Sequence, residues 1–119
     1  MKKILIVDDA PFIRNQLKNI LQPLNFDIYE AENGKEAIEI YIKIKPDLVT
    51  MDISMPIMDG IKALKEILNF DSKAKVIMVT ALGHKTSVLE AIEIGASYYI
   101  VKPFDNNKVI KSILKVLNK

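Results

Sequence analysis

Five polar side chains stand at the ends of four apolar runs of the sequence. Asp8 and Asp9 follow the first run, Asp52 the third, Thr80 the fourth and Lys102 the fifth. Three carboxylates held close together repel one another unless a cation neutralises them. Magnesium is the usual cation where a few carboxylates share a metal with waters and a phosphoryl group. With a hydroxyl and an ammonium beside it, such a site would be suited to phosphoryl transfer.

Asp52 is the candidate nucleophile of this set. It closes the apolar run 48–51, and no helical pattern begins at it. Asp59, by contrast, precedes Gly60 and a helical pattern, which is where a helix N-cap belongs. An aspartate carboxylate can form a covalent phosphoryl intermediate. Asp52 is therefore predicted to carry the chemistry, and Asp59 to cap a helix.

The other polar residues also have purely structural interpretations. Asp8 or Asp9 could cap the first helix, and Thr80 and Lys102 could be ordinary residues at strand ends. Their coincidence with Asp52 at the ends of several strands favours the chemical interpretation.

Short apolar runs alternate with amphipathic segments along the whole chain. The runs 4–7, 28–31, 48–51, 76–79 and 98–101 predict five strands, and an amphipathic segment follows each of them. This alternation predicts an α/β fold with a parallel sheet and helices on both faces. Because the carboxyl ends of parallel strands share one edge of the sheet, we expect the polar residues to converge there.

Cap residues mark several helix boundaries. Pro11 suits the first turn of the first helix, Asn33 and Asp105 suit N-caps, and Gly95 suits the end of the fourth helix. The apolar spacing also places Leu24, Ile92 and Leu114 on the buried faces of the first, fourth and fifth helices.

Composition excludes several functional classes. The 119 residues are predicted to form one domain, 1–119, and the absence of cysteine excludes disulfides and thiolate metal sites. Seventeen basic residues nearly balance fifteen acidic ones, and the single arginine and scattered lysines argue against nucleic-acid binding. No apolar run is long enough for a membrane span or a signal peptide, so we expect a cytoplasmic protein without membrane attachment.

Four motifs together resemble the receiver domain of bacterial and archaeal response regulators. They are Val7-Asp8-Asp9, the stretch from Asp52 to Gly60, Thr80-Ala81, and Lys102-Pro103-Phe104. The resemblance spans the whole chain. Less specifically, the chain looks like a stand-alone regulator of the chemotaxis CheY type. The resemblance implies a flavodoxin-like doubly wound five-stranded parallel sheet, in the order 2-1-3-4-5, with five helices.

The resemblance also implies the function. It is that of a phosphorylation-activated signalling switch of a two-component system, acting in chemotaxis or motility and not as an enzyme. Asp52 would accept a phosphoryl group from a histidine kinase. Asp9, Asp52 and the backbone carbonyl of Ser54 would hold Mg²⁺, and Asp8 would act mainly through the metal's waters.

Further expectations follow from the same resemblance. Thr80 and Lys102 would bind the phosphoryl oxygens, the Lys102–Pro103 bond would be cis, and Tyr99 would be an aromatic switch residue. A monomer would contact a downstream target, a flagellar motor protein or an adaptor, through the fourth helix, fifth strand and fifth helix. A phosphatase is a further expected partner.

Four alternatives are open at this stage. The chain could be the receiver half of a longer transcription factor or enzyme. An aspartyl-phosphate hydrolase of the haloacid-dehalogenase kind would want a second acid where Ser54 stands. In a flavodoxin, Asp8 and Asp9 would repel the flavin phosphate. A pseudo-receiver without phosphorylation is disfavoured because all the active-site positions are filled.

Overall fold

A computed structural model describes residues 1–118, in which five strands alternate with five α-helices and one short 3₁₀ turn. The strands are β1 (Lys3–Val7), β2 (Asp27–Ala31), β3 (Leu48–Asp52), β4 (Val76–Ala81) and β5 (Tyr98–Lys102). The helices are α1 (Pro11–Leu21), α2 (Gly34–Ile44), α3 (Gly60–Phe70), α4 (Lys85–Ile94) and α5 (Asn106–Leu117), and the 3₁₀ turn covers Gln22–Leu24.

All four strand pairings of the sheet are parallel, and the strand order is β2-β1-β3-β4-β5. The predicted α/β fold and the strand order are therefore confirmed. The order reverses between β1 and β3, so the loops that follow these two strands leave the sheet toward opposite faces and open a crevice at its carboxyl edge.

Each face of the sheet carries its own hydrophobic core. One core packs α2, α3 and α4 against side chains such as Leu5, Val49 and Met78. The other packs α1 and α5 against Ile4, Ile77 and other alternate strand residues. Because both faces are covered, the central strands are apolar at nearly every position, which is why they appear in the sequence as uninterrupted runs.

Three strands extend further than the apolar runs indicate. Asp52 is the last residue of β3, Lys102 is the last residue of β5, and Thr80 is the penultimate residue of β4. The prediction that these residues follow the strands is wrong by one or two positions, because the backbone hydrogen-bond ladder continues past the last apolar side chain. These three residues are consequently fixed by the sheet and not by flexible loops.

Several helix boundaries match the predicted caps. The side chains of Asn33, Asp59 and Asp105 each accept a hydrogen bond from the backbone N–H three residues further on, and Gly95 ends α4 with a φ of 134°. Pro11 occupies the first turn of α1. Neither Asp8 nor Asp9 caps that helix, since its N-cap residue is Ala10.

Three apolar residues predicted to be buried are exposed instead. Leu24, Ile92 and Leu114 are each 41 to 42% exposed. Leu24 lies beyond the end of α1, in the 3₁₀ turn that contains Pro23. In α5 the buried stripe includes Ser112 and Val116, so Leu114 faces away from the core. Within residues 1–118, no helix has the length and apolar character needed to cross a membrane.

Candidate functional site

Three carboxylates converge at the carboxyl edge of the sheet. Oxygen atoms of Asp8, Asp9 and Asp52 all lie within 4.8 Å of one another. Val7, the last residue of β1, pairs with Met51 of β3 in the sheet register, so the residues that follow each of them are neighbours. The convergence predicted from the strand ends is therefore present for all three acids.

Lys102 joins this cluster from β5. Its ammonium group donates a hydrogen bond to Asp8 Oδ2 at 2.9 Å and lies 3.5 Å from Asp52 Oδ1. Burial lowers the pKa of Lys102, but the hydrogen bond to Asp8 and the charges of Asp52 and Asp8 outweigh it and raise the pKa above its ordinary value. Lys102 is thus a fixed positive charge between two of the acids.

The surroundings of Asp52 disfavour the ionised form of its carboxylate. Only 7% of the residue is exposed. Burial, followed by repulsion from Asp8, raises the pKa of Asp52 to about 6, although the charge of Lys102 opposes the shift. A further positive charge nearby would lower the pKa of Asp52, since an opposite charge within a few ångströms favours the ionised form.

Asp8 and Asp9, the two acids that follow β1, differ in exposure and in hydrogen bonding. Asp8 is buried, and its carboxylate accepts one hydrogen bond from the Ala10 N–H at 2.9 Å and another from Lys102. Asp9 is exposed. Asp9 therefore has the carboxylate more available to a metal ion, whereas both oxygens of Asp8 already have partners.

The residues present fit a hard divalent cation. Carboxylate oxygens are the ligands that Mg²⁺ prefers, and it commonly takes one or two carboxylates while keeping several waters. The cluster offers an exposed carboxylate, Asp9, beside a buried and repelled one, Asp52. Ser54, whose backbone carbonyl is the third predicted direct ligand, lies in the exposed loop two residues after Asp52.

Thr80 lies on the neighbouring strand β4, one position beyond the residue that pairs with Asp52. The Thr80 side chain is buried, and its hydroxyl donates to the carbonyl of Ala81 at 3.3 Å. This is a long hydrogen bond for a hydroxyl, so the group can exchange it for a better acceptor at modest cost.

The loop between β3 and α3 is held by hydrogen bonds and by a close contact at the first residue of α3. The Gly60 N–H donates to the Ile53 carbonyl at 2.7 Å, and a Cβ at Gly60 would overlap the carbonyl oxygen of Asp52. The Met58 N–H donates to the Pro56 carbonyl at 2.7 Å, and this hydrogen bond closes a three-residue turn around Ile57. Ile57 has a φ of 68°, a conformation that β-branched residues rarely adopt, and it is 78% exposed.

Two features of the site were not found from the sequence. One is the left-handed conformation of Ile57, for which a β-branched residue gives no signal. The other is Arg14, whose guanidinium donates to the backbone carbonyl of Asp8 at 2.7 Å. Its only signal was that it is the single arginine of the chain.

An apolar groove of about 800 Å³ lies beside Thr80, between α4 and β5. Val88, Leu89, Ile92 and Tyr99 are among the residues that line it. Tyr99 is 42% exposed, and the rings of Tyr99 and Tyr98 are 5.7 Å apart. Tyr98 packs in part against the core on the α5 side, where the Lys115 ammonium lies 5.3 Å from its ring centroid, and it also contributes to the lining of the groove. The predicted cis peptide bond between Lys102 and Pro103 is present.

Comparison with known protein sequences places this arrangement in a family. Residues 4–114 match the response regulator receiver domain. The chain is 52% identical over 117 residues to the chemotaxis protein CheY of Bacillus subtilis, and the match covers 98% of both chains. It is 51% identical over 118 residues to the protein CcdB of the same organism, again over 98% of both chains.

The fold is similar to that of solved receiver structures. CheY in the crystal structure of the CheX–CheY–BeF₃–Mg²⁺ complex from Borrelia burgdorferi has a TM-score of 0.94 and 41% identity, and the match covers 99% of this chain and 90% of that one. Receiver domains bind Mg²⁺ at an acidic cluster of the kind formed by Asp8, Asp9 and Asp52. The chain belongs to the response regulator receiver family and is a CheY-like, phosphorylation-activated switch of a two-component system.

Proposed function

We propose that Asp52 is the phosphoacceptor and that a histidine kinase is the phosphoryl donor. The observation that carries this proposal is the carboxylate of Asp52 at a strand end, between two other acids and the Lys102 ammonium. An oxygen of Asp52 forms the new bond to phosphorus while the bond between phosphorus and the donor histidine nitrogen breaks. The nitrogen leaves with the bonding electron pair, and Asp52 becomes an aspartyl phosphate.

Asp9, Asp52 and the backbone carbonyl of Ser54 would hold Mg²⁺, with Asp8 contacting it mainly through water. When bound, Mg²⁺ supplies positive charge that neutralises the carboxylates and the phosphoryl oxygens. The exposure of Asp9 and the two hydrogen bonds already made by Asp8 support this division of roles. The raised pKa of Asp52 supports it as well, because burial and repulsion from Asp8 disfavour the ionised carboxylate, and added positive charge would favour it.

Lys102 and Thr80 would bind two oxygens of the phosphoryl group. Lys102 already contacts Asp52, so a phosphoryl group on that carboxylate comes within reach of its ammonium. Thr80 donates only a long hydrogen bond in the present structure, and a phosphoryl oxygen is a stronger acceptor than the Ala81 carbonyl. Both groups would orient the transferred group and stabilise its charge.

The groove between α4 and β5 would carry the signal to a downstream protein. It is apolar, it begins at Thr80, and it includes the half-exposed Tyr99.

We propose chemotaxis as the response, because CheY of Bacillus subtilis is among the similar proteins. CcdB is equally similar, so restoration of chemotaxis in a Bacillus subtilis strain that lacks CheY tests this assignment. A CheX-like protein or another phosphatase is a further proposed partner.

Intact mass spectrometry tests the phosphoacceptor directly. With acetyl phosphate and MgCl₂, we expect wild type to gain one phosphoryl group and Asp52→Asn to gain none. Asp59→Asn is the matched control, because Asp59 caps α3 in the same loop and asparagine is an equally good cap. Equal labelling of wild type and Asp52→Asn would contradict the proposal.

A further inference from the structure

The guanidinium group of Arg14 contacts both the turn that carries the acid pair and the end of β2. Arg14 lies in the first turns of α1, and its side chain is only 12% exposed. Nη1 donates to the backbone carbonyl of Asp8 at 2.7 Å, and Nε donates to Glu30 Oε1 at 3.2 Å. Nη2 lies 3.8 Å from a carboxylate oxygen of Glu32. One side chain therefore ties α1 to the acid pair and to the end of β2.

With the contact from Arg14, every polar group of Asp8 has a hydrogen-bond partner. Its N–H donates to the Ala31 carbonyl of β2 at 3.1 Å, and its carbonyl accepts from Arg14. Its carboxylate accepts from Ala10 and from Lys102. Asp8 is held by its backbone and by its side chain, and the position of Asp9, the next residue, is set by the same bonds.

Only an arginine can make this set of contacts. The guanidinium offers several N–H donors in a planar fork, whereas a lysine has one nitrogen on a flexible stem. Lys18, the other cation that contacts Glu30, lies 3.3 Å from Glu30 Oε2. No contact between Lys18 and Asp8 is found within residues 1–118, so Lys18 shares the electrostatic environment of Arg14 without its link to the acid pair.

We propose that Arg14 is a positioning residue of the metal centre, which holds the turn between β1 and α1 so that Asp9 faces Asp52 in a geometry ready for Mg²⁺. The inference rests on the proposed function, since it assigns a role toward the same metal. Arg14 acts through the Asp8 backbone and does not touch the metal or the phosphoryl group.

Electrostatics and positioning predict opposite effects when Arg14 is removed. Deleting a positive charge near three carboxylates should strengthen the binding of a divalent cation if charge alone matters. Loosening the turn that carries Asp9 should weaken it. Replacing groups that orient metal ligands typically costs about 10- to 100-fold in metal affinity. The sign of the change therefore separates the two explanations.

The test is a titration with MgCl₂ at constant ionic strength, followed by amide ¹H–¹⁵N chemical shifts, which report both binding and folding. We expect Arg14→Ala to weaken Mg²⁺ binding by about tenfold or more. Arg14→Lys, which keeps the charge but not the fork, should also bind more weakly than wild type. Lys18→Ala is the matched control and should bind as tightly as wild type or slightly more tightly.

The outcomes separate this inference from the function on which it rests. Arg14→Ala with an affinity equal to or tighter than that of wild type overturns the positioning role, and so does an equal loss in Lys18→Ala. If the shifts show that Arg14→Ala is unfolded, Arg14→Lys decides, and a wild-type affinity in that variant overturns the role. No response of wild type to Mg²⁺ would overturn the proposed metal site and the inference together.

Discussion

At the scale of single residues, the site is defined by an unfavourable charge that the fold tolerates. Asp52 is buried beside Asp8, and among residues 1–118 Lys102 is the cation that offsets the repulsion. A carboxylate arranged in this way is destabilising until it gains a proton, a cation or a phosphoryl group with its own partners. We therefore expect the repulsion at Asp52 to favour the binding of a divalent cation.

The raised pKa of Asp52 predicts how the free energy of unfolding depends on pH in metal-free buffer. The pKa of Asp52 rises from an ordinary value of 3.8 to about 6 in the folded protein, so the folded protein binds the proton more tightly than the unfolded chain does. Ionised Asp52 therefore destabilises the fold fully above about pH 6, and the penalty disappears as the pH falls toward 4. We expect Asp52→Asn to raise the free energy of unfolding by about 2 to 3 kcal/mol at pH 8.

Urea denaturation in EDTA at pH 8 and pH 4.5 measures this effect. The gain from Asp52→Asn should fall by more than half at the lower pH, and Asp59→Asn should show no comparable gain at either pH. A gain that does not change with pH, or a loss of stability at pH 8, would contradict the electrostatic account of Asp52.

The sequence allowed some residues of the site to be identified and concealed others. Asp8, Asp9, Asp52 and Lys102 could be identified because polar residues that end apolar runs are conspicuous, and a parallel sheet brings strand ends together. Arg14 could not, because its partners are a backbone carbonyl and two glutamates far along the chain. A contact between a side chain and the backbone of another element leaves no pattern in the sequence.

At the scale of elements, the close approach of α3 to β3 holds Asp52 in place. Gly60 begins α3 directly against the Asp52 carbonyl, and the helix N-cap Asp59 stands beside it. Apolar spacing located these elements, but it did not give their ends. Asp52 and Lys102 belong to the strands, and Leu24, Ile92 and Leu114 are exposed, because the exact ladder and helix rotation depend on packing against other elements.

The packing of α3 on β3 predicts that Gly60→Ala is severely destabilising. The added methyl group would overlap the Asp52 carbonyl oxygen, and the backbone of β3 or α3 must shift to accommodate it. We expect a loss of about 3 kcal/mol in the free energy of unfolding, since overpacking a rigid contact typically costs up to that amount. Urea denaturation measures the loss.

Gly83→Ala is the matched control for this prediction. Gly83 has a φ of 95°, but a Cβ there would meet no atom within 4 Å. Its substitution should therefore cost only about 1 to 2 kcal/mol, the conformational part of the effect. A loss in Gly60→Ala no larger than the loss in Gly83→Ala would contradict this prediction, because the overlap with the Asp52 carbonyl would then add nothing to an ordinary conformational cost.

At the scale of the whole molecule, the strand order puts the acids and the apolar groove on either side of Thr80. Asp52 lies on β3, Thr80 on the adjacent β4, and Tyr99 on β5 at the edge of the sheet. The alternation of elements in the sequence predicted the parallel sheet, whereas the order of its strands came from the family resemblance. Sequence spacing alone contains no information about which strands are neighbours.

This arrangement predicts that Thr80 couples phosphorylation to the groove. A phosphoryl mimic on Asp52 should draw the Thr80 hydroxyl away from the Ala81 carbonyl and change the surroundings of Tyr99. With BeF₃⁻ and Mg²⁺ we expect amide shifts on α4 and β5 in wild type, and much smaller shifts in Thr80→Ala. Tyr98→Phe is the control: it keeps the ring that packs toward α5, removes only a hydroxyl and leaves Thr80 in place, so the response of α4 and β5 to the mimic should persist. Shifts of wild-type size in Thr80→Ala with the mimic bound would contradict this coupling.

Chemical marking of the phosphorylated protein identifies the residue that carries the phosphoryl group. Borohydride reduces an aspartyl phosphate to homoserine, so peptide mass spectrometry after phosphorylation in Mg²⁺ identifies the residue that carried the group. We expect homoserine at position 52 and unmodified aspartate at positions 8, 9 and 59. Homoserine at any of those three positions, with Asp52 unchanged, would contradict this expectation.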